Sequence, residues 1–503
     1  ASSDCPTLLD IINRYPAQIE LAHANNKIAS LIDAGELSAA GLLRCYQEAL
    51  PQVEQLVWNN GFEPALLHQL QALFREYENH YELTASDERF NFIIVIPVAD
   101  RPLHLRHCLH SLYELCEHFQ YGGKNKHGHY KKVRVIIADD SSDETNIRQH
   151  QELASHYSDQ GLECEHFDQA AQLQTLHQFS NQQDRDLSRI LGKHDEAGFF
   201  HKGPSVMRNI TYLKLNEFTA REERYLFYFI DSDQEFKLPV HYHNEYQQAY
   251  CLNYFWHLDR IFSKGKCELL TGKVVGDPPV SPAVMAANLL QDVNHVLAQL
   301  SQLEPNASCQ FHQEKQVTTE QAAYHDMADK FGFTSAATAH DYNCSLLSPH
   351  DHKACFRAMV SRLGQFFDGA HPTRTTPYTY QAPQDSLAPA RTVYTGNYVL
   401  SANALQYFIP FASSRWRMAG PTLGRILQVL IDDQFCTANL PMHHRRTTHE
   451  TGESEYRAGI KRREMNIDLS NEYRRQFYGD VMLFSMEELV KLGYPLGKSD
   501  KAT

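Results

Sequence analysis

Apolar positions fall into distinct regimes along this chain. Up to about residue 88 they recur at helical spacing: Leu8, Leu9, Ile11 and Ile12, then Leu42, Leu43, Tyr46 and Leu50. Turn residues are sparse there, so the pattern predicts amphipathic helices. At Phe90 the spacing closes into a near-continuous apolar run, Phe90 to Val98, rich in β-branched residues. A strand buried on both faces reads this way. An amphipathic helix follows over Leu103 to His118, with Leu105, Cys108, Leu109, Leu112 and Leu115 on one side. A second run, Val133 to Ala138, ends in Asp139-Asp140-Ser141-Ser142 and leads into another helical stretch. Strand, helix, strand, helix is a βαβ unit, and ligands bind such sheets at the carboxyl ends of the strands.

The stretch from Gln169 to Phe200 lacks a periodic apolar face and predicts a loop. His201 to Asn209 opens a helix at Gly203-Pro204, and Tyr225 to Ile230 is a third strand running into Asp231-Ser232-Asp233. A fourth strand is expected over Glu268 to Val275, ended by Gly276-Asp277-Pro278-Pro279. Residues 301–389 are rich in His, Gln, Ser, Thr and Pro and read as an insertion, helical at Gln321 to Phe331 and Asp351 to Phe367. Beyond it, Thr392 to Leu400 predicts a strand and turn, and Leu423 to Ile431 a helix.

Composition narrows the function classes. The 503 residues exceed one simple core, so roughly two to four structural units are expected. A net charge of −14 without a long Lys/Arg run excludes a nucleic-acid partner, whose phosphates demand clustered positive charge. The 11 cysteines are odd in number and form no CxxC pair, which implies reduced thiols and a cytoplasmic protein. No signal peptide is expected, and no run of about 20 apolar residues predicts a transmembrane segment.

Candidate chemistry gathers at the predicted strand ends. Asp231 and Asp233, two residues apart after a buried strand, can face one divalent cation; Mg²⁺ or Mn²⁺ prefers oxygen ligands and keeps phosphate oxygens in its shell. The alternative for such a pair is a plain turn. Asp139 and Asp140 can accept hydrogen bonds from a nucleobase or ribose, or cap the next helix. Lys202, Gly203 and Arg208 surround a helix start suited to phosphate, though Pro204 at the first helical position also reads as an ordinary helix opening. His443 and His444, followed by Arg445 and Arg446, can complete a cation's coordination sphere or form a solvated basic turn.

Together these segments resemble the GT-A glycosyltransferases, either family 2-like members or the retaining glucosyl- and mannosyl-glycerate synthase group. Ile94 to Pro102 is similar to the family's first strand and base-binding loop, and Val135 to Ser142 to its second strand with the DDxS ending. Lys202 to Asn209 is similar to its glycine-and-RN segment, and Phe229 to Asp233 to its DxD strand end. The likeness covers residues 90–280 and, more loosely, 390–450. It implies an α/β fold with a Rossmann-like mixed sheet flanked by helices. The likeness does not extend to the N-terminal region or the insertion; with the pattern read above, the expected organisation is a helical N-terminal region (1–88) that packs on the catalytic part or mediates homo-oligomerisation, a nucleotide-sugar-binding part (89–300), the insertion (301–389), an acceptor-side part (390–475) and a C-terminal tail (476–503).

The resemblance also implies roles. Pro97, Val98, Asp100, Arg101, Asp139, Asp140, Lys202, Gly203, Arg208 and Ser232 would hold the nucleotide sugar. Asp231, Asp233 and Arg208 would be catalytic, with Asp231, Asp233, His443 and His444 around Mn²⁺ or Mg²⁺. Gly396, Asn397, Arg417 and Arg425 would face the acceptor. Inverting members carry an acidic pair before a helix, whereas Arg417 to Arg425 holds no carboxylate, which favours a retaining transferase acting on a small polar acceptor, neutral or anionic. The alternatives are an inverting family 2-like enzyme acting on a glycan or lipid, and a non-catalytic sugar-nucleotide sensor or scaffold. A nucleotidyltransferase ranks lower, because the loop from Pro97 to Pro102 contains no glycine.

Overall fold

Consecutive Phe, Ile and Val residues give strand β1 (Asn91–Val98) two apolar faces, and the structure buries both. Phe92, Ile94 and Ile96 enter one hydrophobic layer, and Ile93 and Val95 the other. Strands β2 (Val133–Asp139) and β4 (Tyr225–Ile230) divide their side chains the same way. At roughly 1.5–3 kcal/mol per fully buried large apolar side chain, these strands anchor the fold. The computed structural model describes residues 5–21, 38–59, 61–84, 87–183, 187–192, 198–243, 245–276, 282–312, 333–336, 339–342, 344, 346, 349–367, 378–445 and 470–494.

The chain divides into two compact units. The first comprises Ala1–Gly276, Thr376–His444 and Met482–Thr503. Its sheet also contains β3 (Cys164–Phe167), β5 (Gln234–Glu235), β8 (Leu269–Gly276), β11 (Ala388–Pro389), β12 (Asn397–Ser401) and β13 (Phe435–His444). A separate hairpin, β6 (Leu238–Tyr242) with β7 (Glu245–Ala249), stands apart from it. The strand order is β11-β13-β8-β12-β4-β1-β2-β3, with β5 joined to β13. Strands β4, β1, β2 and β3 are parallel, β12 runs antiparallel to both β4 and β8, and β13 is parallel to β8. This is a Rossmann-like mixed α/β sheet. From β1 the chain builds outward through β2 and β3, then returns to place β4 on the other flank of β1. That reversal makes the carboxyl ends of β1 and β4 a topological switch point, where the crevice of an open α/β sheet lies.

Helices cover both faces. Pro102–Phe119 and Tyr254–Ser263 pack on one layer, and Pro204–Thr219 and Ala419–Leu430 on the other. The N-terminal helices Pro6–Arg14, Ala39–Asn59 and Pro64–Thr84 join the first layer directly. Phe74 meets Phe119 and Trp256 edge-on, each at 5.4 Å between ring centroids. Glu54 pairs with His257 at 2.9 Å, and Arg89 donates to both Glu78 oxygens at 2.8 and 2.7 Å. The expected loop after Gln169 contains a helix, Gln169–Gln183. The Asp168 carboxylate accepts the Ala171 N–H at 2.9 Å, fixing its first turn, and its buried side is mixed, with Gln172 beside Leu176.

The second unit comprises Asp277–Thr375 and Arg445–Val481. It holds helices Pro282–Leu300 and His352–Phe367 and the hairpin β9 (Phe333–Ala336) with β10 (Ala339–Tyr342). Among its described residues the buried core comprises Leu289, Val296, Phe311, Tyr342, Cys344, Cys355 and Met359. The expected helix at Gln321–Phe331 lies outside the described residues. Among the described residues no helix is long and apolar enough to cross a membrane.

Candidate functional site

Two loops meet beside the switch point. The loop after β1 carries Asp100, at φ 52°, and the loop after β2 carries Ser141 and Ser142. Asp100 ties them together: it accepts the N–H groups of Ser142 (3.2 Å) and Asp143 (3.1 Å) and the Ser142 hydroxyl (3.2 Å). Its own N–H donates to Ser141 Oγ at 2.8 Å, and His201 Nε2 stands 2.6 Å from its Oδ2. Although burial raises it, these donors, led by His201, hold the Asp100 carboxyl below its ordinary range. The Asp140 N–H donates to Val98 O, so Val98 is part of the same junction, with Pro97 half-buried before it.

Behind the loops lies a buried polar layer. Asp139 Oδ2 faces His150 Nδ1 at 2.9 Å and His166 Nε2 at 2.8 Å, and its Oδ1 accepts the Ser141 N–H. Burial opposes ionisation, but the two imidazoles overcome it and depress the Asp139 pKa. Asp140 pairs with Lys202 at 2.7 Å and accepts the Gly203 N–H at 2.9 Å. Lys202 Nζ also donates to Phe199 O, and burial pushes its ammonium pKa down. Gly203, at φ 94°, allows the turn that starts helix Pro204–Thr219.

Asp231, Ser232 and Asp233 follow the tip of β4. Asp231 forms an ion pair with Arg208 of that helix, whose guanidinium is buried. Ser232 is buried. Asp233 meets Arg101 at 3.4 Å and His444 Nε2 at 3.3 Å. The last contact follows from register: in the antiparallel β5–β13 pair His444 stands opposite Gln234, and His443 opposite Glu235. Alternation along β13 turns His443 to the other face, where Gly276 leaves room for its ring. Burial raises both aspartates, but His444, then Arg101, draw the Asp233 pKa well down. Asp231 is raised by burial and by the Asp233 charge, against Arg208. Its side chain keeps 39% exposure. Asp233 Oδ1 is buried with no hydrogen-bond partner among the described residues.

Position 396 approaches the same carboxylate. A β-carbon on Gly396 would lie 2.6 Å from Asp231 Oδ2 and 2.9 Å from Gln234 Nε2. Asn397 is turned away and fully buried: its amide donates to Lys273 O and Leu440 O and accepts from the Tyr228 hydroxyl. Arg425 is held by Arg391 O at 2.8 Å, beside Glu487. Arg417 is half-buried just before helix Ala419–Leu430.

Asp100, Arg101, Arg208, Asp231, Asp233, His444 and Gly396 therefore surround the strand tips, with Asp139, Asp140 and Lys202 in the layer behind. His104, in the first turn of helix Pro102–Phe119, joins this group although no motif in the sequence marks it. It faces Asp233 and His444, and burial, then Arg101, lower its pKa to about 4, so its imidazole is neutral at pH 7. Its signal is position alone, one turn past the first strand's loop.

No family model and no curated protein matches the sequence. Among solved structures the chain is similar to core-mannan synthase A from Aspergillus fumigatus in its Mn/GDP form, at 9% identity. The match covers 70% of this chain and 67% of that one, with a TM-score of 0.22. A likeness that remote assigns no activity; the fold stands on its own strand order.

Proposed function

We propose that the protein transfers a sugar from a nucleotide-diphosphate sugar to a small polar acceptor, with Mn²⁺ or Mg²⁺ as cofactor. The observation that carries this reading is the convergence of Asp233, His444 and Arg101 at the switch point, with Asp231 and Arg208 beside them. The residues present fit such an ion. Carboxylate oxygens and an imidazole suit it, Asp233 Oδ1 is buried with no donor among the described residues, and Gly396 leaves space at Asp231 Oδ2. Asp233 and His444 would hold it, with Asp231 as the more exposed third group. When bound, the ion supplies neutralising charge to the departing diphosphate.

The chain's own groups supply the rest. The two loops stitched by Asp100, with Pro97 and Val98 in their frame, wall the nucleoside side, and Ser232 is buried at the tip of β4. Arg101 and Arg208 supply fixed positive charge where the anomeric carbon–oxygen bond breaks and negative charge grows on the leaving oxygen. Their carboxylate partners hold the guanidinium groups in place before the donor arrives. Helix Ala419–Leu430 opens without a carboxylate, and Asp432 and Asp433 stand exposed beyond its far end. This favours retention of anomeric configuration. Arg417, and Arg415 close to Gly203, suit an acceptor bearing a carboxylate or phosphate.

The test is a thermal-shift panel of nucleotide-diphosphate sugars with and without Mn²⁺, followed by donor-hydrolysis assays. Metal-dependent stabilisation with turnover supports transfer, whereas stabilisation without turnover favours a sensor. The Asp231→Ala/Asp233→Ala variant should stay folded and lose metal-dependent hydrolysis; unchanged hydrolysis refutes the assignment.

A further inference from the structure

Four metal-ligating side chains converge in the second unit, apart from the strand-tip site. Cys309, His312, Cys344 and His350 each present one ligand atom, and all four atoms lie within 4.8 Å of one another. Cys344 Sγ stands 3.2 Å from His350 Nε2, and the rings of His312 and His350 meet edge to face at 5.1 Å. The backbone fixes this convergence independently of the side chains. Cys309 N–H donates to His350 O at 2.8 Å, Cys344 N–H donates to Phe311 O at 2.7 Å, and Ser308 bridges Asp351. Two sequence-distant stretches, one around Cys309 and one from Cys344 to Asp351, are thus laced together where their sulfurs and imidazoles meet.

We infer that Cys309, His312, Cys344 and His350 form a structural zinc site. Two thiolates and two imidazoles are the donor set of closed tetrahedral zinc centres, and soft sulfur ligands disfavour Mg²⁺ and Mn²⁺. Bonds of about 2.3 Å to sulfur and about 2.0 Å to nitrogen set ligand separations of roughly 3.3–3.8 Å, so closure needs only small side-chain movements. Four protein ligands leave no position for substrate, which makes the centre structural. On binding, Zn²⁺ displaces the two thiol protons to solvent, and each neutral imidazole donates a nitrogen lone pair.

The surroundings support the assignment. The Phe311 N–H donates toward the Cys309 sulfur. Cys355, fully buried in the first turn of helix His352–Phe367, lies against the sulfurs of Cys309 and Cys344 and supplies a further thiol beneath the centre. Among the described residues, Phe311 and Tyr342 are the aromatic members of the unit's buried core, and their rings pack at 5.7 Å. A metal cross-link beside them would add cohesion to that core.

The experiment uses the full chain, purified without chelator from zinc-supplemented medium and analysed by elemental mass spectrometry. The wild type should carry an equimolar amount of zinc, and so should Asp233→Ala, whose change lies in the other unit. The Cys309→Ser/Cys344→Ser double variant should lose it. Wild-type zinc no higher than in the double variant overturns the inference, as does a Cys309–Cys344 disulfide in non-reduced peptides. If the double variant is insoluble, a mercurial titration of the wild type with a zinc-sensitive dye decides. Equimolar release supports the site, and no release overturns it.

Discussion

Gly396 leaves open the space into which the Asp231 carboxylate projects: a β-carbon there would stand 2.6 Å from Oδ2 and 3.2 Å from Cγ. Gly396→Ala should therefore displace that carboxylate. Overpacking of this kind costs roughly 1–3 kcal/mol. The expected result is a modest fall in the denaturation midpoint together with at least about tenfold weaker Mn²⁺-dependent donor binding, since about 1.4 kcal/mol is a factor of ten. Unchanged binding would remove Asp231 from the metal's surroundings.

Lys202 offers a test of where the diphosphate lies. Its ammonium is buried against Asp140, so Lys202→Ala strands a buried carboxylate. Breaking such a pair costs about 3–5 kcal/mol. Chemical denaturation should register that loss. If Lys202 instead contacts the donor, KM for the nucleotide sugar should rise far more than stability falls.

Asp139 sets an acid-side signature. Its folded pKa is depressed by His150 and His166 against the effect of burial. A depressed carboxylate contributes stability that is fully present above its unfolded pKa of about 3.9 and is lost as pH falls through its folded value. Asp139→Asn should lower stability at pH 7 and flatten the decline below about pH 4. Denaturant midpoints measured from pH 7 downward compare the two profiles, and parallel profiles would contradict the prediction.

Glu78 anchors Arg89 where the N-terminal helices meet the sheet. Glu78→Ala leaves that guanidinium nearly buried with Asp87 as its remaining acidic partner. The cost should sit near the lower end of the range for broken buried pairs, about 3 kcal/mol. A loss below about 1 kcal/mol, as for an exposed pair, would show the junction to be loose.

Strands β1, β2 and β4 were legible because both of their faces are apolar, and each leads to a motif at its tip. Strand β13 was not. Asn439, Pro441, His443 and His444 look like a polar turn in sequence, yet all four lie in a strand whose burial pattern is almost continuous. Its burial comes from β8 and β5, partners far away in the chain, and no local periodicity records them. The same holds for Asn397, whose polarity suggests ligand contact but whose amide is consumed by buried partners. The Cys309 and Cys344 thiols, scattered in sequence, acquire meaning only when backbone pairing brings their segments together.

The shared core of the N-terminal helices and the sheet sets what can be removed from this protein. Phe74, Glu54 and Arg89 are built into the wall that covers one face of the strands. A shortened chain starting at Phe90 would bare the apolar side of Phe119 and Trp256 and leave His257 without its carboxylate. Such a fragment should aggregate rather than fold, so the N-terminal helices are masonry of the sheet's own body and not a detachable handle.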